Sequence, residues 1–185
     1  AKPALPAGNR LRRFEFPAMG THCLVQYVCA DPAQAAKFER NAVAWVQAFE
    51  AKYSRFKPDS LVSRINAAAG SSWVEVDAEM DELLNLCGNL HSITQGVLDP
   101  TALPLIRLWD YKAAHPVIPD PQQIAVARRL VGWPKVQRQP GRIFLPQPGM
   151  SLDFGGFGKE YAVDMVAQLA VSQGIADVLV DFGHD

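Results

Sequence analysis

The stretch SLDFGGFGKEYAVDMVAQLA, residues 151–170, decides how the rest of the chain is read. Ser151–Phe154 has the composition of a strand, Gly155-Gly156 break it, and a helical pattern begins near Gly158 and runs to about Gln173, where Gly174 ends it. Glycines at such a junction let a backbone come close to a bulky anion. The first amides of the helix are unpaired donors at the positive end of its dipole. Lys159 adds a mobile cation of the kind that suits a phosphate. The pattern is neither GxGxxG nor GxxxxGK[ST], so locally a phosphate site and a tight turn relieved by glycine both fit. Asp164, one turn past Glu160, reads either as a solvated face or as a structural bond to the glycine turn.

Working outward, Asp177–Phe182 reads Val-Leu-Val almost without alternation and predicts a buried strand. Upstream, Val136–Gln139 and Arg142–Leu145 flank Pro140-Gly141 as a hairpin, and 122–131 is a helix. GVLDPTALPLIRLWDY, residues 96–111, starts a helix at Asp99-Pro100-Thr101 that is expected over Ala102–Tyr111, with Trp109 in the core; 112–121 is a loop. Asp77 caps a helix burying Met80, Leu83, Leu84, Cys87 and Leu90, and Trp73–Val76 alternates like a short strand. YSRFKPDSLVSRIN, residues 53–66, is a helix end, a break and a second short helix capped by Asp59-Ser60. Its Tyr53 and Phe56 could stack a flavin or adenine ring, or belong to the core. Asp31-Pro32 starts a helix to about residue 53 with the apolar stripe Phe38, Ala42, Trp45, Phe49, Tyr53. Residues 12–29 read as strands interrupted at Pro17–Gly20, where Met19-Gly20-Thr21 is a bend or a close approach to a ligand. The mixture is not a clean βαβα repeat, so the expected class is α+β, a mixed and largely antiparallel sheet with packed helices.

Composition narrows the function. About half of the 185 residues are apolar and a fifth are charged, with a net charge of −1. That balance gives no electrostatic case for nucleic acid or an anionic membrane. No apolar run reaches the roughly 18 residues of a transmembrane segment. The three cysteines, Cys23, Cys29 and Cys87, without CxxC, predict buried thiols rather than a disulfide framework or a zinc site. His22, His91, His115 and His184 are scattered and match no metal or triad grammar, although Gly183-His184-Asp185 follows a strand.

Taken in order, these segments resemble the FAD:protein FMN transferases, the ApbE family. The resemblance spans about residues 16–185 and rests on MGT, S-R-F-x-x-x-S-x-x-S-R-I-N, L-D-P-T-x-x-P-L-x-x-L-W, D-x-G-G-x-x-K-x-Y-A-x-D and a strand ending V-D-x-G. It implies an ApbE-like fold and a magnesium-dependent enzyme that cleaves FAD and transfers FMN to a Thr or Ser hydroxyl of a target flavoprotein subunit, releasing AMP. Some family members instead act as FAD pyrophosphatases, and a non-catalytic flavin carrier or assembly factor is the third reading. Carried over by residue, Met19 lines the FAD pocket, and Phe56 touches the flavin–adenine assembly. Leu98 and Asp99 lie against the adenosine half with Trp109 nearby, and Gly156, Gly158 and Lys159 face the pyrophosphate. The Gly158 carbonyl is the expected Mg²⁺ contact, Lys159 the catalytic cation, and Asp164 a residue fixing the turn.

The chain departs from the family pattern at Lys159-Glu160, where relatives commonly have glycine after the lysine, and at Gly183-His184-Asp185, where they usually read GGD. Relatives are also about twice as long, judged against the usual ~100–200 residues per domain. The expectation is therefore a fragment: residues 1–11 a linker or mature N-terminus, 12–185 the N-terminal portion of a flavin transferase domain, with the C-terminal half and its metal-holding side chains missing, and inactive alone. The strand Val178-Leu179-Val180 should then have an unpaired edge. Family members are often exported, so the expected location is the periplasm or a membrane anchor facing it, with the cytoplasm as the alternative.

Overall fold

In a computed structural model, which describes residues 10–109, 115 and 117–183, the elements run as follows. Strands β1 (Leu11–Ala18) and β2 (Thr21–Val28) precede helices α1 (Pro32–Tyr53) and α2 (Leu61–Ala67); β3 (Val74–Glu75), α3 (Ala78–Ile93), α4 (Leu103–Ile106) and α5 (Pro121–Arg129) come next. After them come β4 (Gln137–Gln139), β5 (Arg142–Phe144), α6 (Gly158–Ser172) and β6 (Val178–Phe182). The class is α+β with antiparallel sheets. The chain divides into two compact units, one made of 1–51 and 157–185, the other of 52–156.

The first unit is built on the antiparallel sheet β1-β2-β6. Its hairpin turns on Met19 and Gly20, both at positive φ (51° and 74°), the pair of left-handed residues that a two-residue type I′ turn requires. Helix α1 opens with Asp31 accepting the Ala33 amide at 2.8 Å. Its buried stripe is Phe38, Ala42, Val46 and Phe49; the structure replaces the expected Trp45, which is half-buried, by its neighbour. At 3.6 residues per turn Trp45 and Val46 lie equally far on either side of the stripe's centre, so the period alone does not choose between them; Val46 takes the core position and Trp45 stacks on Phe49 at 5.3 Å. Helix α6 buries Ala162, Val166 and Ala170, and Gly174 at φ +81° follows its end. Strand β6 pairs with β2 on one side, and among the described residues its other edge has no partner. The expected burial of this strand does not hold: Leu179 is 59% exposed and Phe182 is its one buried residue. An edge strand covered on one face loses the double burial that a continuous apolar run implies.

The second unit packs Val62, Ile65, Leu83, Leu84, Cys87, Leu103, Ile143, Leu145, Met150 and Leu152 into its core. Helix α2 is capped by Ser60, whose hydroxyl accepts the Ser63 amide at 3.0 Å; α3 is capped by Asp77, and α5 by a capping box of Asp120 and Gln123. Leu90 is half-buried rather than core. The small sheet β3-β5-β4 contains the expected hairpin.

Two expectations fail here. Ser151–Phe154 is irregular chain and no strand, because its backbone bonds go elsewhere. Leu152 donates to Asn66 Oδ1 at 2.7 Å and accepts from Asn66 Nδ2 at 3.0 Å, and Asp153 donates to the Pro100 carbonyl at 2.8 Å. The helix expected over 102–111 ends at Ile106: Leu108 and Trp109 bond three residues back, to Leu105 and Ile106, which tightens the chain into turns. Tyr111 lies outside the described residues. Trp109 is 43% exposed and so is not core.

The three cysteines are free and buried, as expected. No helix among the described residues is long and apolar enough to cross a membrane.

Candidate functional site

The motif segments of the second unit converge on Asp153. Its carboxylate pairs with Arg55 Nε at 3.1 Å through Oδ2 and accepts the Gly155 amide at 3.1 Å through Oδ1, while its own amide reaches Pro100. One residue thus ties together S-R-F, L-D-P-T and the glycine turn. The sequence reading did not single it out; the D of D-x-G-G was the available signal.

Around that hub, Phe56 is 79% exposed, and the Arg55 guanidinium lies over its ring at 4.1 Å from the centroid. An aromatic face held in solvent beside a fixed cation can stack a planar ligand. Asp99 does something different. Its Oδ1 accepts the Thr101 amide and hydroxyl at 2.8 and 2.6 Å, and its Oδ2 accepts the Trp133 amide at 3.0 Å, with His91 Nε2 at 3.7 Å. The Thr101 hydroxyl in turn accepts the Gly132 amide at 2.7 Å. Asp99 is therefore a clasp between two loops as well as the start of a turn, and its carboxylate is occupied by protein donors. Leu98 is half-buried, with its amide on the Thr94 hydroxyl at 3.0 Å. Gly156 is exposed, is not in the left-handed region, and a Cβ placed on it would meet nothing within 4 Å. Among the described residues neither crowding nor a positive φ demands glycine there.

In the first unit, Met19 helps line a cleft of about 400 Å³ with Pro17, Ala18, Gly20, Thr21, His22 and Glu50. A methionine at positive φ is a strained choice in a turn that favours Asn or Gly, and such outliers gather where a side chain has work to do. Helix α6 opens at Gly158 without any side-chain cap. Lys159 stands half-buried in its first turn, at the positive end of the helix dipole. Burial pushes the Cys23 thiol up to about 11; its contact with the Ala18 carbonyl lowers it, Glu50 and Asp181 raise it further, and Lys159 opposes them. Lys159 therefore shares its surroundings with two carboxylates. Asp164 is exposed and bonds none of the described turn residues, so the fixing role expected of it is not seen. Glu160 is exposed, and His184 lies outside the described residues.

Among the described residues no three His, Cys, Asp or Glu side chains come together as a metal would need. The Gly158 carbonyl is one oxygen, whereas Mg²⁺ takes about six, several of them water. The described residues do not by themselves complete a Mg²⁺ site.

The chain matches the model of the ApbE family over residues 19–185. The FAD:protein FMN transferase of Klebsiella pneumoniae is 32% identical over 187 residues, covering 98% of this chain and 53% of the relative. That of Salmonella typhimurium is 30% identical, covering 97% and 52%. This chain thus spans about half the length of the curated relatives it matches. Among solved structures, a variant of the flavin transferase ApbE from Vibrio cholerae superposes with a TM-score of 0.86 at 24% identity, covering 94% of this chain and 61% of that one, a likeness of fold. The apo flavinyl transferase ApbE of Pseudomonas stutzeri gives 0.83 at 26% identity, covering 94% and 56%. With the match running through every motif segment from Met19 onward, the chain belongs to the ApbE family.

Proposed function

We propose that the protein of which this chain is part transfers FMN from FAD to a Thr or Ser hydroxyl of a target flavoprotein subunit and releases AMP. The observation that carries the reading is the start of α6, within the first unit. There Gly158 opens the helix with no side-chain cap from Phe157, and Lys159 stands half-buried in its first turn. That is the equipment of an anion site. The names of the relatives supply the nature of the anion.

In this reading Phe56 stacks a ring of FAD, Met19 lines its pocket, and Leu98 and Trp109 contact the adenosine half. Asp99 supports that half through its loop clasp rather than with a free carboxylate. Gly156, Gly158 and Lys159 face the pyrophosphate. Lys159 follows negative charge onto the leaving AMP oxygen, a contact that strengthens in the transition state and so lowers the barrier. Attack by a hydroxyl at phosphorus needs alignment more than covalent help. Mg²⁺ would neutralise charge on the pyrophosphate when bound. The Gly158 carbonyl would offer one contact, with water among the remaining oxygens. The proposed location is the periplasm, or a membrane anchor facing it.

The deciding experiment incubates the intact protein with FAD, Mg²⁺ and a flavoprotein subunit as acceptor. Covalent FMN on the acceptor, with AMP released only when the acceptor is present, supports the transferase. Free FMN and AMP without acceptor would assign a pyrophosphatase, and unchanged FAD a carrier. Loss of AMP release on adding EDTA tests the Mg²⁺ requirement.

A further inference from the structure

The second unit carries a cleft that the reading above does not use. It encloses about 280 Å³ and is lined by Arg55, Ser63, Asn66, Ala67, Arg107, Gly149, Met150 and Ser151. Three features distinguish it from an ordinary surface dent. Two of its lining residues are arginines, and none is acidic. Arg55 is fixed in place, with Nε committed to Asp153 at 3.1 Å and its plane over Phe56, so little rotamer freedom remains to be lost when a ligand arrives. And Ser151, 2% exposed, has an Oγ that is buried with no hydrogen-bond partner. A buried hydroxyl without a partner carries a desolvation cost, and natural folds rarely leave one without a reason.

We infer that this cleft is a phosphate-binding subsite, with Arg55 and Arg107 supplying the charge and Ser151 Oγ donating a hydrogen bond. Guanidinium forks match the oxygens of a phosphoryl group, and a hydroxyl donor completes a tetrahedral acceptor set. The volume lies just under the roughly 300–1,000 Å³ of pockets for drug-sized ligands, so it takes a phosphoryl group rather than a whole dinucleotide. Asn66 is spent on the Leu152 backbone and the Ser63 hydroxyl on the Arg55 carbonyl, which leaves Ser151 as the free hydroxyl of the lining. The inference stands on the second unit alone and assumes nothing about the reaction. The phosphoryl group can belong to free orthophosphate or to a nucleoside monophosphate.

The test measures thermal protection of the intact protein by orthophosphate, AMP and adenosine, each titrated separately. Orthophosphate should protect the parent, and Arg107→Gln and Ser151→Ala should weaken protection by orthophosphate and AMP while leaving any protection by adenosine, which has no phosphoryl group, unchanged. Tighter protection by AMP that both variants weaken assigns the source to a nucleotide, equal protection to free phosphate. Arg107→Gln should weaken orthophosphate binding about tenfold or more, the loss of one charge-assisted bond. Ser151→Ala should leave the unliganded protein as stable as before, since it removes an unsatisfied group, yet weaken orthophosphate binding several-fold. Protection by adenosine that both variants weaken as much as they weaken AMP would overturn the inference. So would orthophosphate binding that both variants retain, or an absence of any orthophosphate effect. None of these outcomes depends on whether FMN transfer is observed.

Discussion

Arg55 and Asp153, almost a hundred positions apart in the chain, form an ion pair of 3.1 Å with side chains 22% and 16% exposed. Because Asp153 also holds the Gly155 amide and reaches Pro100, the pair fixes where three motif segments meet. Asp153→Ala leaves a guanidinium and an amide unpaired and should lower unfolding stability by about 2–3 kcal/mol. Asp153→Asn, which keeps an acceptor, should cost about half as much. Urea unfolding of both variants checks this, and equal stability with the parent would show the hub to be ornamental.

Asp99 should behave as a clasp. Asp99→Ala removes the acceptor for Thr101 and for the Trp133 amide 34 residues away, and should cost about 2–3 kcal/mol whether or not FAD is present. A variant that lost FAD affinity while keeping its stability would return the carboxylate to the ligand.

At the hairpin, Met19→Asn places a residue tolerant of left-handed backbone in a type I′ turn before Gly20. Stability should rise by up to about 1 kcal/mol, the usual cost of that conformation for a side chain such as methionine. FAD affinity should fall at the same time. Higher stability with unchanged FAD binding would leave Met19 without a role in the pocket.

Lys52 bridges Asp77 and Glu79 at 2.6 Å each, and its hydrogen bond is the main reason the Asp77 carboxyl lies below its ordinary 3.8. A carboxylate depressed in the folded state adds stability above its unfolded pKa, and that stability is lost as pH falls through the folded value. Acid unfolding should therefore steepen below about pH 4. Asp77→Asn, which keeps the cap on Met80, should flatten that limb. Identical acid limbs in parent and variant would rule the pair out as a contributor.

Lys159→Met retains the packing of the stem and removes the charge. If FMN transfer proceeds as proposed, kcat should drop by about 10²–10³, with a smaller change in FAD affinity. A variant with normal turnover would leave Lys159 a cation at a helix start, where its charge is mildly unfavourable.

Much of the fold was readable because its signals are local. Asp31, Ser60 and Asp77 cap the helices they precede, and Gly174 follows the end of α6, whereas the Asp120 cap that starts α5 at Pro121 lay inside the expected loop. What was not readable depends on partners far away in sequence. Nothing in Ser151–Phe154 says that Asn66 will take both bonds of Leu152, so an irregular segment reads as a strand. Leu179 reads as core because composition does not report that its strand lies at an edge. The site followed the same division. The order of the motifs pointed to the family, and the glycine–Lys159 junction was visible as a local pattern. The role of Asp99 as a clasp on Trp133 and of Asp153 as a hub became visible only once three loops were brought together.

The sheet β1-β2-β6 joins Cys23 to Phe182 across the whole length of the second unit. During synthesis the first two strands and α1 emerge long before the strand that completes their sheet. The intervening segment 52–156 is continuous and carries its own core, so it can fold while β2 still waits with an open edge. Completing the sheet of the first unit thus waits for the synthesis of the whole segment 52–156. Slowing translation through α6 should lengthen the life of that waiting edge, and with it the exposure of Val25 and Tyr27 to other chains.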